Sequence, residues 1–172
     1  IGDVVARHES LRTIYPLDDT GPRQEVVSPR SDLRVDGEGL DRGDVDGEDD
    51  LRRRMRALMS QGFDVTLRVP LRAGLFRIGD TEHVLTVVLH HILADGFSLG
   101  VLARDLATAY AARTTAGAPS WSPLDVQYAD YALWQSDWLG AADDPDSPLA
   151  RQLDYWTTTL EGLPTVLDLP CD

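Results

Sequence analysis

Chemistry in this chain concentrates in VLTVVLHHILADGFSLG, Val84 to Gly100, where His90, His91, Asp95 and Ser98 follow an apolar run. These residue types suit several kinds of work. An imidazole titrates near neutral pH and can take a proton from an attacking nucleophile. Histidines with carboxylates can hold a metal, which needs three or four convergent ligands. A serine in G-x-S-x-G, here GFSLG from Gly96 to Gly100, can be a nucleophile on a strand-to-helix elbow. The same residues can also be plain structure, with a histidine closing a core strand and a serine capping a helix.

Spacing weighs these readings. Side chains alternate faces along a strand, so Leu85, Val87, Leu89 and His91 share one face and Thr86, Val88 and His90 the other. The histidines diverge, which opposes a shared metal ion, and one of them is expected to be structural. His8 and His83 lack the H-E-x-x-H spacing of a metal helix. The nucleophile-elbow fold carries its histidine after the serine, whereas every histidine here precedes Ser98. Ser98 is therefore read as a helix cap, its hydroxyl accepting from a free backbone N–H of the first turn. The histidine reading explains more of HHILADG. Asp95 follows just past the strand, where it can orient a loop or pair with an arginine, and Gly96 permits a tight turn and close backbone packing. No side-chain nucleophile is then needed, because an acyl donor and its acceptor can meet directly.

The scaffold around this segment reads as follows. Residues 1–9 end a helix, and LRTIYP alternates like a strand. LDDTGPRQEVVSP is a hairpin turn and short strand, and residues 35–50 are an acidic, glycine-rich loop. Its Asp44, Asp46 and Gly47 do not fit the twelve-residue calcium pattern with its closing glutamate. Glu48 to Gly62 places Leu51, Met55, Leu58 and Met59 at helical spacing, with Arg52, Arg53, Arg54 and Arg56 as the solvated face. PLRAGLFRIG and EHVLTVVLHH are strands paired as an antiparallel hairpin across Gly79-Asp80-Thr81. Helices are expected over Gly96–Arg113, Val126–Leu139 and Ser147–Leu160, with the linker TTAGAPSWSP between the first two and an extended tail, LPTVLDLPCD. This order predicts an α+β two-layer sandwich with a largely antiparallel sheet packed by helices.

The chain has 172 residues, one domain's worth, and its 42% hydrophobic content suffices for a core. A formal net charge of −13 opposes nucleic-acid backbones and anionic membrane surfaces, so neither partner is expected. No apolar run approaches the roughly 20 residues that span a bilayer, and no signal peptide is visible. One cysteine, Cys171, excludes an internal disulfide framework and fits a cytoplasmic protein. Ile1 opens in what reads as the middle of an element, so the chain is taken as a piece of a longer polypeptide.

HHILADG resembles the HHxxxDG motif of condensation domains from nonribosomal peptide synthetases, within the superfamily of chloramphenicol acetyltransferase. RHESLRT (Arg7 to Thr13), YADYALWQ (Tyr128 to Gln135) and YWTTTLEGLPTVLDLPCD are similar to three further stretches of that family, in its order. The resemblance implies a chloramphenicol-acetyltransferase-like lobe, with residues 1–172 as the N-terminal lobe of a condensation domain lacking its first strand. It implies amide-bond formation between a carrier-bound acyl or peptidyl thioester and the α-amine of a carrier-bound aminoacyl group. No cofactor would bind directly, since substrates come on 4'-phosphopantetheine arms. The implied partners are upstream and downstream peptidyl carrier domains, the C-terminal lobe and a neighbouring adenylation domain. An isolated lobe would be inactive. His91 would be the active-site histidine and His90 a structural one. Asp95 would hold the loop through an arginine, either Arg7 or one of the missing lobe, and Gly96 is the motif glycine. Phe97 stands where many members have tryptophan. An O-acyltransferase, an epimerisation domain and a non-catalytic carrier-docking module are the alternatives on the same fold.

Overall fold

A computed structural model describes residues 1–29, 41–164 and 166. The chain divides into two units, Ile1–Ala129 and Asp130–Asp172. The first begins with helix α1 (Gly2–Arg7) and a 3-10 turn (Glu9–Arg12). Four two-residue strands follow: β1 (Thr13–Ile14), β2 (Leu17–Asp18), β3 (Gly21–Pro22) and β4 (Glu25–Val26). They form two small antiparallel pairs, β2 with β3 and β1 with β4. Gly21 sits at φ +113°, a left-handed conformation that closes the β2–β3 turn at low cost only for glycine. Leu11 and Arg12 lie in the 3-10 turn and not in a strand. That turn puts Leu11, 5% exposed, into the core.

Strand β5 (Asp41–Asp44), helix α2 (Gly47–Ser60), strands β6 (Leu71–Arg77) and β7 (His83–Leu89) and helix α3 (Gly96–Thr114) complete the scaffold. The expected acidic loop is thus corrected: residues 41–44 form an edge strand parallel to β6, while residues 35–40 lie outside the described set. β6 and β7 pair antiparallel from Leu71 opposite Leu89 to Arg77 opposite His83, the predicted hairpin. With a neighbour on each side, β6 is buried along most of its length. α2 packs against β6 and β7, although Met59 stays exposed and Arg54, placed on the solvated face by the sequence, is half-buried and bonds to Asp50 at 3.2 Å.

The main core gathers Val4 and Val5 of α1, Leu11, Leu71 of β6, Leu93 and Ala109 of α3. The architecture is α+β, with helices against mainly antiparallel strands. Gly74 marks a close approach beneath α2. A Cβ there would lie 2.7 Å from Phe76 Cζ and 3.3 Å from Leu58 Cδ2, and Phe76 is fully buried. Gly74→Ala is therefore expected to destabilise the fold by roughly 1–3 kcal/mol through overpacking. Chemical denaturation checks this, and an unchanged midpoint would show that Phe76 yields without cost.

In the second unit α4 (Tyr128–Leu139), whose first two residues belong to the first unit, is followed by α5 (Pro148–Thr159). Ser147 caps α5, its Oγ accepting from the Ala150 N–H at 3.0 Å and donating to the Ala141 carbonyl at 2.6 Å. Pro148 then occupies the first helical position, where its missing N–H costs nothing. Most of the tail after Pro164 lies outside the described residues.

Candidate active site

The segment between β7 and α3 is held from three sides. The His90 backbone N–H donates to the Pro70 carbonyl at 3.0 Å, extending the strand ladder by one step. The Leu93 N–H returns to the His90 carbonyl at 3.0 Å and closes a turn. Leu93, 6% exposed, sinks into the core, so its burial anchors the turn that carries His91. The Tyr15 hydroxyl donates to the Ile92 carbonyl at 3.4 Å, and burial pushes this phenol up, keeping it a donor.

The two histidines diverge. His90, though exposed, is engaged within the fold: its Nδ1 accepts from the Ile92 N–H at 3.1 Å, and its ring meets Phe63 edge-on with centroids 6.1 Å apart. His91 is exposed and lines two hollows, of about 200 Å³ and 260 Å³. Ser10 and Tyr128 border the first, and Val87, Leu89 and Leu99 the second, while Ala94 and Asp95 are common to both. Val87 and Leu89 are the residues that strand alternation puts on the His91 face.

Asp95 is the N-cap of α3. Its Oδ1 accepts from the Ser98 N–H at 2.9 Å and from the Ser98 hydroxyl at 2.7 Å, while Ser98 Oγ accepts from the Asp95 N–H at 3.3 Å. This is a reciprocal capping box. It corrects the assignment of Ser98 as the cap: the helix starts at Gly96, so Ser98 is the third helical residue and Asp95 the cap. The Ser98 hydroxyl and N–H hold the Asp95 carboxyl below the usual carboxylate range. Both hollows thus carry a negative charge at neutral pH, which the positive end of α3 stabilises.

Arg7 does not meet Asp95. Its Nε donates to Asp105 Oδ2 at 3.1 Å, its Nη1 donates to the Ser122 carbonyl at 2.7 Å, and its guanidinium lies 4.9 Å from the Trp121 ring centroid. His8 Nε2 reaches the same Asp105 oxygen at 2.7 Å. Asp105 sits on the buried side of α3, which packs against α1, whereas Asp95 is exposed at the helix start. Burial raises the Asp105 carboxyl, but the hydrogen bonds and charges of His8 and Arg7 outweigh that and hold it below its ordinary value. Sequence reasoning missed Asp105, whose place in an amphipathic helix gave no sign that it faced inward.

Gly96 also departs from expectation. It is absent from the left-handed glycines, and a Cβ there would meet nothing within 4 Å. Neither a tight turn nor close packing within this lobe requires glycine at that position; it leaves open space beside the second hollow. Among the described residues no group of three His, Cys, Asp or Glu is placed to hold a metal, and no helix is long and apolar enough to cross a membrane.

The arrangement separates capping from charge at Asp95. Asparagine caps as well as aspartate does, so Asp95→Asn should keep the melting temperature while Asp95→Ala lowers it. Equal losses in thermal melts of the two variants would instead assign the carboxylate a charge partner within the fold.

The family model of the condensation domain matches residues 1–172. The chain belongs to the condensation-domain family. Among curated proteins, this condensation-family chain is 49% identical to the isonitrile lipopeptide synthase of Mycobacterium tuberculosis and 45% identical to the dimodular nonribosomal peptide synthase of Bacillus subtilis. Each alignment covers 99% of this chain but only 7% of the relative. Among solved structures, the X-domain from teicoplanin biosynthesis is 37% identical with a TM-score of 0.84, over 99% of this chain and 37% of that one. The epimerization domain of tyrocidine synthetase B, 23% identical with a TM-score of 0.74 over 99% of this chain and 37% of that one, supports the shared fold.

Proposed function

We propose that this chain is the N-terminal lobe of a peptide-forming condensation domain. It acts with a C-terminal lobe to join a carrier-bound acyl or peptidyl thioester to the α-amine of a carrier-bound aminoacyl group. The observation that carries this reading is the contrast between the histidines: both are exposed, but His90 is engaged by Phe63 and the Ile92 N–H, while His91 borders both hollows.

In the reaction the amine nitrogen bonds to the thioester carbonyl carbon, the C–S bond breaks, and the surplus amine proton finally balances the departing thiolate. An α-amino group has an ordinary pKa of about 8, so much of it is protonated at neutral pH. The ionised Asp95 favours entry of that ammonium. His91 receives the amine's proton or holds the amine in line for attack. The substrates come on phosphopantetheine arms of upstream and downstream carrier domains, with an adenylation domain supplying the aminoacyl group. The open space beside Gly96 and the second hollow suit a thin arm better than a bulky side chain. We place the protein in the cytoplasm, where those partners and substrates are made.

A second reading, partner docking without catalysis, is favoured by the 37% identity to the teicoplanin X-domain, which is solved in complex with OxyB. The intact HHILADG argues for catalysis. The test supplies the whole condensation domain with both loaded carriers and follows the downstream arm by intact mass spectrometry. An amide on that arm is expected. An epimerised donor, an ester, or no transfer by folded protein would overturn the reading.

A further inference from the structure

The turn that carries His91 hangs on His90. The His90 N–H donates to the Pro70 carbonyl, its own carbonyl accepts from the Leu93 N–H, and its ring Nδ1 accepts from the Ile92 N–H. The last of these bonds needs the ring in one orientation and one tautomer, with the proton on Nε2. His90 is exposed, so burial does not fix that orientation. Phe63, in the loop between α2 and β6, meets the ring at 86°. Phe63 is only half-buried and is held in turn by Arg72 of β6. Arg72 lies opposite Val88, and strand alternation puts Val88 and His90 on one face, so Arg72 stands on the His90 side of the sheet. Its guanidinium lies 3.9 Å from the Phe63 ring centroid, while Nη1 donates to the Gln61 carbonyl at 2.6 Å and Nη2 to the Gly62 carbonyl. At 7% exposure Arg72 has lost its hydration, and these contacts replace it. One buried cation thus holds both the face of the Phe63 ring and the backbone leading into it.

We propose that Phe63 and Arg72 are positioning residues for His91. Arg72 sets the Phe63 ring, Phe63 selects the orientation of the His90 ring, and His90 holds the Ile92 N–H in the turn around His91. His91 is exposed, so the backbone of that turn decides where its ring points. The inference rests on the condensation reading above for what His91 does, and on the contacts of His90 for how it is held. Placement at this scale matters, since a misplacement of about 1 Å can lower a rate about 10²-fold. Tyr15 ties the same loop and turn independently. Its N–H donates to the Val65 carbonyl at 2.8 Å and its hydroxyl to the Ile92 carbonyl at 3.4 Å. Loss of the Phe63 ring therefore frees the His90 ring while the turn stays attached to the fold.

The test uses the whole condensation domain with both carriers loaded and saturating, under single-turnover conditions well below the melting temperature. Phe63→Leu keeps an apolar side chain and removes the ring. It is expected to slow amide formation by roughly 10-fold to 10²-fold with carrier affinity unchanged. Phe63→Tyr, which keeps the ring, should restore most of the rate. Phe63→Leu combined with His91→Ala should be no slower than His91→Ala alone, because both changes act through one group. A second reading is independent of turnover. With ¹⁵N-labelled imidazoles, His90, assigned by its loss in His90→Asn, should show a proton on Nε2 and an accepting Nδ1. Phe63→Leu should average that signature and shift the His91 signals with it. Arg72→Lys, which keeps the charge but loses the fork, should do the same and serves should Phe63→Leu misfold. A full rate in the folded variants, a slowed rate with the His90 signature intact, or losses that multiply in the double variant would overturn the proposal. In a domain that forms no amide, signals of both histidines that move in Phe63→Leu would uphold the positioning pair and sink the condensation reading alone, and signals that stay would sink both.

Discussion

Asp105→Asn is expected to cost the domain about 3 kcal/mol, the low end of what breaking a buried ion pair costs. The Asp105 side chain is 8% exposed and holds two partners, the Arg7 guanidinium at 3.1 Å and the His8 imidazole at 2.7 Å. Removing its charge leaves Arg7, itself 14% exposed, with the Ser122 carbonyl and the Trp121 face as its compensation. Those contacts place the loss at the low end of the range. The same pairing makes stability depend on pH. Because the folded carboxyl titrates below its unfolded value, its contribution is complete above about pH 4 and is lost as pH falls through the folded value. Urea denaturation at neutral and acid pH checks both points. Asp105→Asn should lower the neutral midpoint and flatten the acid dependence. A loss under about 0.5 kcal/mol would make the cluster no stronger than a surface pair.

His91→Ala carries the largest expected effect on turnover. A positioned general base contributes typically 10²–10⁴-fold, and a loss in that range is expected when product formation is followed under single-turnover conditions. Folding should be unaffected, since His91 is exposed and its turn is anchored by Leu93 and Tyr15. A loss of only a few-fold would assign His91 to positioning, with proximity between the two loaded arms supplying most of the rate.

The strands β6 and β7, the helices and the divergence of the histidines were legible in the sequence because each rests on a local period or pairing. DRGD, at Asp41–Asp44, was not: an edge strand of charged residues and glycine has no apolar alternation to reveal it. Helix starts were legible only to within a turn. The Asp95–Ser98 capping box fits D-x-x-S, a weaker signature than a capping serine followed by glutamate. The Arg7 partner was illegible for a different reason. Arg7 and Asp105 are 98 residues apart, and only the packing of α1 on α3 brings them together. Two aspartates on one helix were available, and burial, which the sequence does not display, chose between them. Gly96 shows the converse case, a motif residue that the fold of this lobe does not need.

The most direct test of the central claim compares wild type, His91→Ala and Ser98→Ala in the whole condensation domain with both carriers loaded. Intact-carrier mass spectrometry reads the amide on the downstream arm. Product is expected to collapse in His91→Ala and to persist in Ser98→Ala, with only a lowered melting temperature from the weakened cap. Product that survives in His91→Ala and vanishes in a folded Ser98→Ala would contradict it.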